Sequence, residues 1–206
     1  MKLLNSMIAV ATVLATLSAH AMNAEKASVR DFDGAKSVVW GNNGIISQGS
    51  LVFKTVKFPA TGMSAYATVN VQDGGQVRTD LALFEGFPMN TPYLRVTNSS
   101  EVTINLDRTD SGPIKKAAVY LQTLTEKDGV STTRAQMTAV LASGKTMVVQ
   151  NTSSVQKGDA KASAPVYGVI APEGDSIVKL IIKAEGITQD GAIQNNMFGV
   201  SQLYID

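Results

Sequence analysis

Apolar and polar residues alternate with a period of two along much of this chain, the signature of β-strands that cover one face and wet the other. Ala65, Ala67, Val69 and Val71 alternate with Tyr66, Thr68 and Asn70. Leu94 and Val96 oppose Tyr93, Arg95 and Thr97, and Val102, Ile104 and Leu106 oppose Thr103, Asn105 and Asp107. In the last third, GVIAPEG, DSIVKLIIKAEG and FGVSQLYID predict three consecutive strands at the centre of a sheet. In the middle one Val178, Leu180, Ile182 and Ala184 form the core set, and Ile177, Lys179, Ile181 and Lys183 the half-wet set. In the last, Leu203 and Ile205 oppose Tyr204 and Asp206.

Turn chemistry punctuates these runs at Asp33-Gly34, Asn42-Asn43-Gly44, Asp73-Gly74-Gly75, Ser111-Gly112-Pro113 and Pro172-Glu173-Gly174-Asp175. Residues 130–141 fit two templates. Ser131 offers a helix cap and Ala, Gln, Met and Leu favour helix, yet Ala135, Met137, Ala139 and Leu141 alternate strictly. The strand reading is preferred, paired through Asp128-Gly129 with residues 117–125 as a hairpin. Thr146 to Gln150 follows as a strand, and the Ser/Lys/Gly/Ala-rich residues 151–164 predict a surface loop. About ten to thirteen short strands with no convincing helix predict an all-β fold, an antiparallel sandwich.

The first 21 residues add a different element. A lysine near the start, an apolar run from Met7 to Leu17 and Ala19-His20-Ala21 form a secretory signal pattern, too short to span a bilayer. Cleavage leaves residues 22–206 as a single domain, secreted or periplasmic, with no membrane insertion. Of 18 Lys+Arg against 17 Asp+Glu, loss of Lys2 leaves an exported chain of zero formal charge. That balance, with charges scattered singly, argues against nucleic acid as a partner. The chain has no cysteine, and its one histidine is His20. An exported domain held by core burial alone points to a bacterial source. Without histidine or cysteine after cleavage, Ser-His-Asp and Cys-His catalysis and His/Cys zinc sites are excluded.

Three pieces of sequence, in order, resemble the jelly-roll sandwiches of the galactose-binding-domain-like and carbohydrate-binding-module families. They are Asp31-Phe32-Asp33-Gly34 with Trp40 soon after, Ala171-Pro172-Glu173-Gly174-Asp175 leading into residues 177–184, and the closing Leu203-Tyr204-Ile205-Asp206. The resemblance implies a jelly-roll fold, a glycan or cell-surface polysaccharide as partner, and a structural calcium at Asp33 and Asp206. As residues, Asp33 before Gly34 also reads as a turn, and D-F-D-G lacks the ligand count of a calcium loop.

Sugar sites of this kind use aromatic faces with a few polar groups. The candidates are Phe87 and Tyr93, which flank the Gly86 to Thr91 loop, Arg95 on the Tyr93 side of its strand, Trp40 and Tyr66. Aromatics are only 6% of the chain, so each also has a claim to the core. Asp80 with Glu85 and Asp107 with Asp110 are sequence neighbours without further signs of a glycosidase pair. The reading is a non-catalytic, lectin-like carbohydrate-binding protein rather than an enzyme. Two alternatives stand beside it: a structural cell-surface or biofilm-matrix protein acting by self-association through sheet edges, and a histidine-free polysaccharide lyase or glycosidase.

Overall fold

The computed structural model describes residues 36–38, 40, 45–48, 56–59, 65–71, 75–81, 87, 91–99, 101–108, 112–123, 130–156, 164–187, 192–194 and 197–206. The signal segment, the Asp33-Gly34 turn and the Asn42-Asn43-Gly44 turn lie outside them. The elements are β1 (Lys36–Val38), β2 (Ile45–Gln48), β3 (Val56–Pro59), β4 (Ala65–Val71), β5 (Gln76–Leu81), β6 (Pro92–Thr97), β7 (Glu101–Arg108), β8 (Lys116–Thr123), β9 (Val130–Leu141), β10 (Thr146–Gln156), β11 (Val166–Ile170), β12 (Ile177–Ile187), β13 (Ile193–Gln194), β14 (Met197–Val200) and β15 (Leu203–Ile205).

They form two antiparallel sheets. The first runs β1-β15-β8-β14-β6-β5-β2 with β11 also paired to β8, and the second runs β10-β9-β12-β7-β4-β3 with β13 on β12. From β4 onward the chain passes repeatedly from one sheet to the other, so the sandwich is of jelly-roll type. The inward residues meet between the sheets. Val69, Val71, Ile104, Met137, Leu180 and Ile182 from one side and Leu94, Val96, Val119, Leu121, Val200 and Leu203 from the other share one buried cluster. Burying a Val, Leu or Ile side chain stabilises by about 1.5–3 kcal/mol, which makes this layer the main support of a chain with no disulfide.

The alternation in β7 and β15 holds as expected from the sequence, and in β4 and β6 the inward sets are buried as expected, although Thr68 and Tyr93 of the outward sets are covered too. Residues 130–141 are strand, as the alternation argued, but the hairpin with residues 117–125 is corrected. β8 belongs to the first sheet, whereas β9 lies between β10 and β12 in the second. Both strands have strongly apolar inner faces, and stacking those faces across the sandwich buries more than edge pairing would. They meet at Thr123 and Thr133, where Thr123 N donates to Thr133 Oγ1 at 3.0 Å and the two hydroxyls lie 2.6 Å apart.

Three more expectations change. The strands of the last third are split between the sheets, with β12 central in the second and β14 and β15 in the first. A register shift between Ile177 and Lys179 turns Ile177 into the core and Val178, 38% exposed, outward. Such a bulge inserts one unpaired residue and reverses the alternation on its far side. β10 also continues to Gln156 where a loop was expected, because Thr152 to Gln156 pair with Arg134 to Val130.

One exposed contact ties two turns together. Asp175 accepts from Ser143 N at 3.2 Å, from the Ser143 hydroxyl and from Ser176 N at 2.9 Å, while its backbone carbonyl receives Lys115 Nζ. The Ser143 hydroxyl bond, followed by the Ser176 amide, holds the Asp175 carboxyl below its ordinary 3.8. A depressed folded pKa contributes stability above the ordinary value and loses it as pH falls through the folded one. Asp175→Ala is therefore expected to lower the melting temperature slightly at pH 7, with the gap to wild type closing below about pH 4 in thermal melts across pH.

Candidate functional site

Four neighbouring strands of the first sheet bring a row of residues onto its outer face. Gln122 of β8 is opposite Gly199 of β14, Gly199 is opposite Arg95 of β6, and Arg95 is opposite Arg78 of β5. Alternation sends the neighbours Leu121, Phe198, Val200, Leu94, Val96 and Val77 into the core. The next position along β5 and β6 pairs Asp80 with Tyr93 on the same outer face.

Gly199 explains what lies above this row. A Cβ there would sit 2.6 Å from Phe87 Cε2, 2.8 Å from Phe87 Cζ and 3.1 Å from Tyr93 Cδ2. Only glycine lets the Phe87 ring settle this closely onto the sheet. Phe87 and Tyr93 pack with centroids 5.3 Å apart and planes tilted by 38°. With Ala164, and with Tyr120 and Met197 at the margin, they form a small apolar cluster separate from the main core.

The polar groups beside it are only partly satisfied. Asp80 Oδ2 receives Arg78 Nε and Nη2, both at 3.1 Å, and Arg95 Nη1 lies 3.2 Å away. Arg95 Nε and Gln122 Oε1 are buried without a hydrogen-bond partner. An unmade bond at a buried polar atom costs about 1–3 kcal/mol, so each is a place where a ligand hydroxyl or a water is favoured.

Beyond Gln122 the face becomes aromatic and half exposed. Tyr120 of β8 and Tyr204 of β15 meet edge to face, centroids 6.4 Å apart at 67°. Burial raises the pKa of both phenols, with proximity to Tyr120 adding to the rise at Tyr204, so both hydroxyls stay protonated at neutral pH. Tyr204 donates to Gln202 Oε1 at 3.4 Å.

Of the residues expected from sequence, Phe87, Tyr93 and Arg95 come together here. The two rings, however, are 3% and 1% exposed, so they are not the open stacking faces the loop position suggested. Trp40 is in the main core, its Nε1 donating to Ser201 O at 2.8 Å. Tyr66 belongs to β4 in the other sheet, opposite Asp107 of β7. Asp206 is exposed, its carboxylate 3.7 Å from Lys116 Nζ, and Asp33 lies outside the described residues. Calcium takes six to eight oxygens. Among the described residues no three His, Cys, Asp or Glu side chains converge, so Asp206 beside a lysine does not by itself fit a calcium site.

Sequence reasoning missed Tyr120, Gln122 and Tyr204 as site residues. A signal was present: a glutamine two positions from a tyrosine in an otherwise apolar run, both on the side away from Val119 and Leu121.

No protein-family model and no curated protein matches the chain. Solved structures of similar fold include a xylan-binding domain of carbohydrate-binding-module family 22, formerly the x6b domain, at 12% identity and TM-score 0.38, covering 80% of this chain and 96% of that one. The C-terminal family 22 module of Clostridium thermocellum Xyn10B gives 11% identity and TM-score 0.36 over 79% of this chain and 90% of that one. An arabinose-bound α-L-arabinofuranosidase, MgGH51, gives 12% and 0.34 over 83% of this chain and 26% of that one. Carbohydrate-binding modules were the family resemblance read from the sequence. At these identities the likeness concerns fold and assigns no residue a role.

Proposed function

We propose that this chain is an exported, non-catalytic glycan-binding β-sandwich whose site is the outer face of the first sheet, from Tyr204 and Tyr120 to Gln122 and Arg95. The observation that carries the reading is the half-exposed tyrosine pair next to an unpartnered buried acceptor, Gln122 Oε1, with an unpartnered buried donor, Arg95 Nε, two strands further along the same face. A pyranose offers the complement. Its C–H face stacks on a ring, and its hydroxyls both donate, as Gln122 Oε1 requires, and accept, as Arg95 Nε requires. Export rests on the Met1 to Ala21 pattern.

The groups described on this face support binding rather than turnover. Glycoside hydrolysis needs two carboxyls facing one bond, and among the described residues the carboxylate beside this row, Asp80, is held by two guanidiniums. A lyase base would need a phenol of lowered pKa, whereas burial raises that of Tyr120.

The test is a glycan array followed by calorimetry on the best ligand, using residues 22–206. Stacking is worth on the order of 1 kcal/mol, so Tyr120→Ala and Tyr204→Ala are each expected to weaken binding roughly five- to tenfold, with melting temperatures within a few degrees of wild type. A wild type that binds no glycan, or variants that bind as it does, would sink the reading.

A further inference from the structure

A sheet edge is a row of unpaired N–H and C=O groups, and proteins usually blunt it with short strands, proline, bulges or charge. Five of the six described strands that pair on one side only follow that rule, among them β11 with five residues including Gly168 and β13 with two. β1 has three residues, β2 has four with a register shift between Ile45 and Ser47, and β3 has four and ends on Pro59. β10 ends the second sheet and follows none of it. It has eleven residues, TMVVQNTSSVQ, paired to β9 without a break in register and containing no charge, proline or glycine.

The direction of its backbone groups is fixed by the hairpin. Leu141 N donates to Lys145 O at 2.8 Å, which makes that pair hydrogen-bonded. Antiparallel pairs alternate, so Met147, Val149, Asn151, Ser153 and Val155 bond to β9, and Thr146, Val148, Gln150, Thr152, Ser154 and Gln156 point their N–H and C=O away from it. At the outward positions Val148 is 43% exposed, and Gln150 and Thr152 are exposed as well. A hollow of about 510 Å³ lined by Arg134, Gln150, Asn151 and Thr152 lies at mid-strand.

We propose that β10 pairs edge to edge and antiparallel with β10 of a second copy of this chain, about a two-fold axis at Asn151. In that register outward residues meet outward residues: Gln150 faces Thr152, Val148 faces Ser154 and Thr146 faces Gln156. Every unpaired group of the edge then finds a partner. The strand is uncharged, so no charged side chains of the two β10 strands oppose each other, and the one charge lining each hollow, Arg134, is carried by β9 one strand back from the edge. Strand addition draws affinity from main-chain bonds and specificity from hollows beside the strand, and the axis places the two mid-strand hollows together. Among the described residues each copy has one such edge, so the assembly closes at two.

Sedimentation velocity on residues 22–206 across a concentration series tests this independently of any ligand. Wild type is expected to be a dimer. Gln150→Pro removes an outward N–H that β9 does not use, and Val148→Lys charges the edge, so each is expected to give a monomer that melts within a few degrees of wild type. Should Gln150→Pro fail to fold, Val148→Lys decides alone. A wild type still monomeric at about 1 mM overturns the proposal. So does a dimer that survives in both folded variants, or growth beyond two copies.

Discussion

Replacing Phe87 and Tyr93 together by alanine is expected to lower the melting temperature by roughly 10 °C or more. Each ring is essentially buried, and they touch each other over Gly199. Truncating a buried aromatic costs about 3–5 kcal/mol, and each kcal/mol moves the transition of a domain this size by about 2–4 °C. Because the rings pack together, the double variant should lose less than the sum of the singles. Calorimetric melts of both singles and the double measure the size and the coupling. A change within about 3 °C would mean that the rings stand open in solution and Gly199 is not what seats them. Glycan binding read on the same samples, below the lowered transition, separates two roles. Binding that persists keeps the site at Tyr120 and Tyr204, and binding lost from a folded variant returns it to Phe87 and Tyr93.

The strands were legible because a sheet with one buried face forces a period of two on its residues. β7 shows it at its plainest, with Val102, Ile104 and Leu106 buried and Asp107 exposed. Sheet membership was not legible. Thr123 and Thr133 look like the two arms of a hairpin, but nothing local says whether such arms pair by their edges or stack by their faces. The reversal at Val178 was hidden for a related reason. An apolar residue on either side of a bulge leaves the hydrophobic pattern unbroken, so only the register with β9 reveals it.

The site was harder still. Gln122, Gly199, Arg95 and Arg78 come from strands distant in the chain and share a row only through β14. Phe87 was found, but its burial depends on the missing side chain at Gly199. Proline beside Phe87 and tyrosine soon after it suggested a stiff aromatic loop, of which residues 88–90 lie outside the described ones. They carried no information about a gap in the sheet beneath.

Trp40→Ala is expected to cause the other large loss, a fall of roughly 10–20 °C. Trp40 is 1% exposed, and its indole N–H reaches Ser201 O at 2.8 Å, a bond between residues 161 apart in sequence. Beside it, β1 holds to the sheet through three residues of β15, Lys36 opposite Ile205, Ser37 opposite Tyr204 and Val38 opposite Leu203. So short a pairing is weak alone, and the anchored indole supplies what the ladder lacks. Truncation removes about 3–5 kcal/mol of packing and leaves the Ser201 carbonyl without its indole partner, a further cost of about 1–3 kcal/mol. Trp40→Phe keeps most of the packing and loses the N–H. Its smaller loss measures the bond, and the difference between the two variants measures the ring. The chain has a single tryptophan, so the wild-type fluorescence should be blue-shifted and should move to the red in one step with the calorimetric transition. An emission already at the solvent-exposed position in the native protein, or a Trp40→Ala variant melting with wild type, would place Trp40 outside the core and leave β1 held by its three-residue ladder to β15 alone.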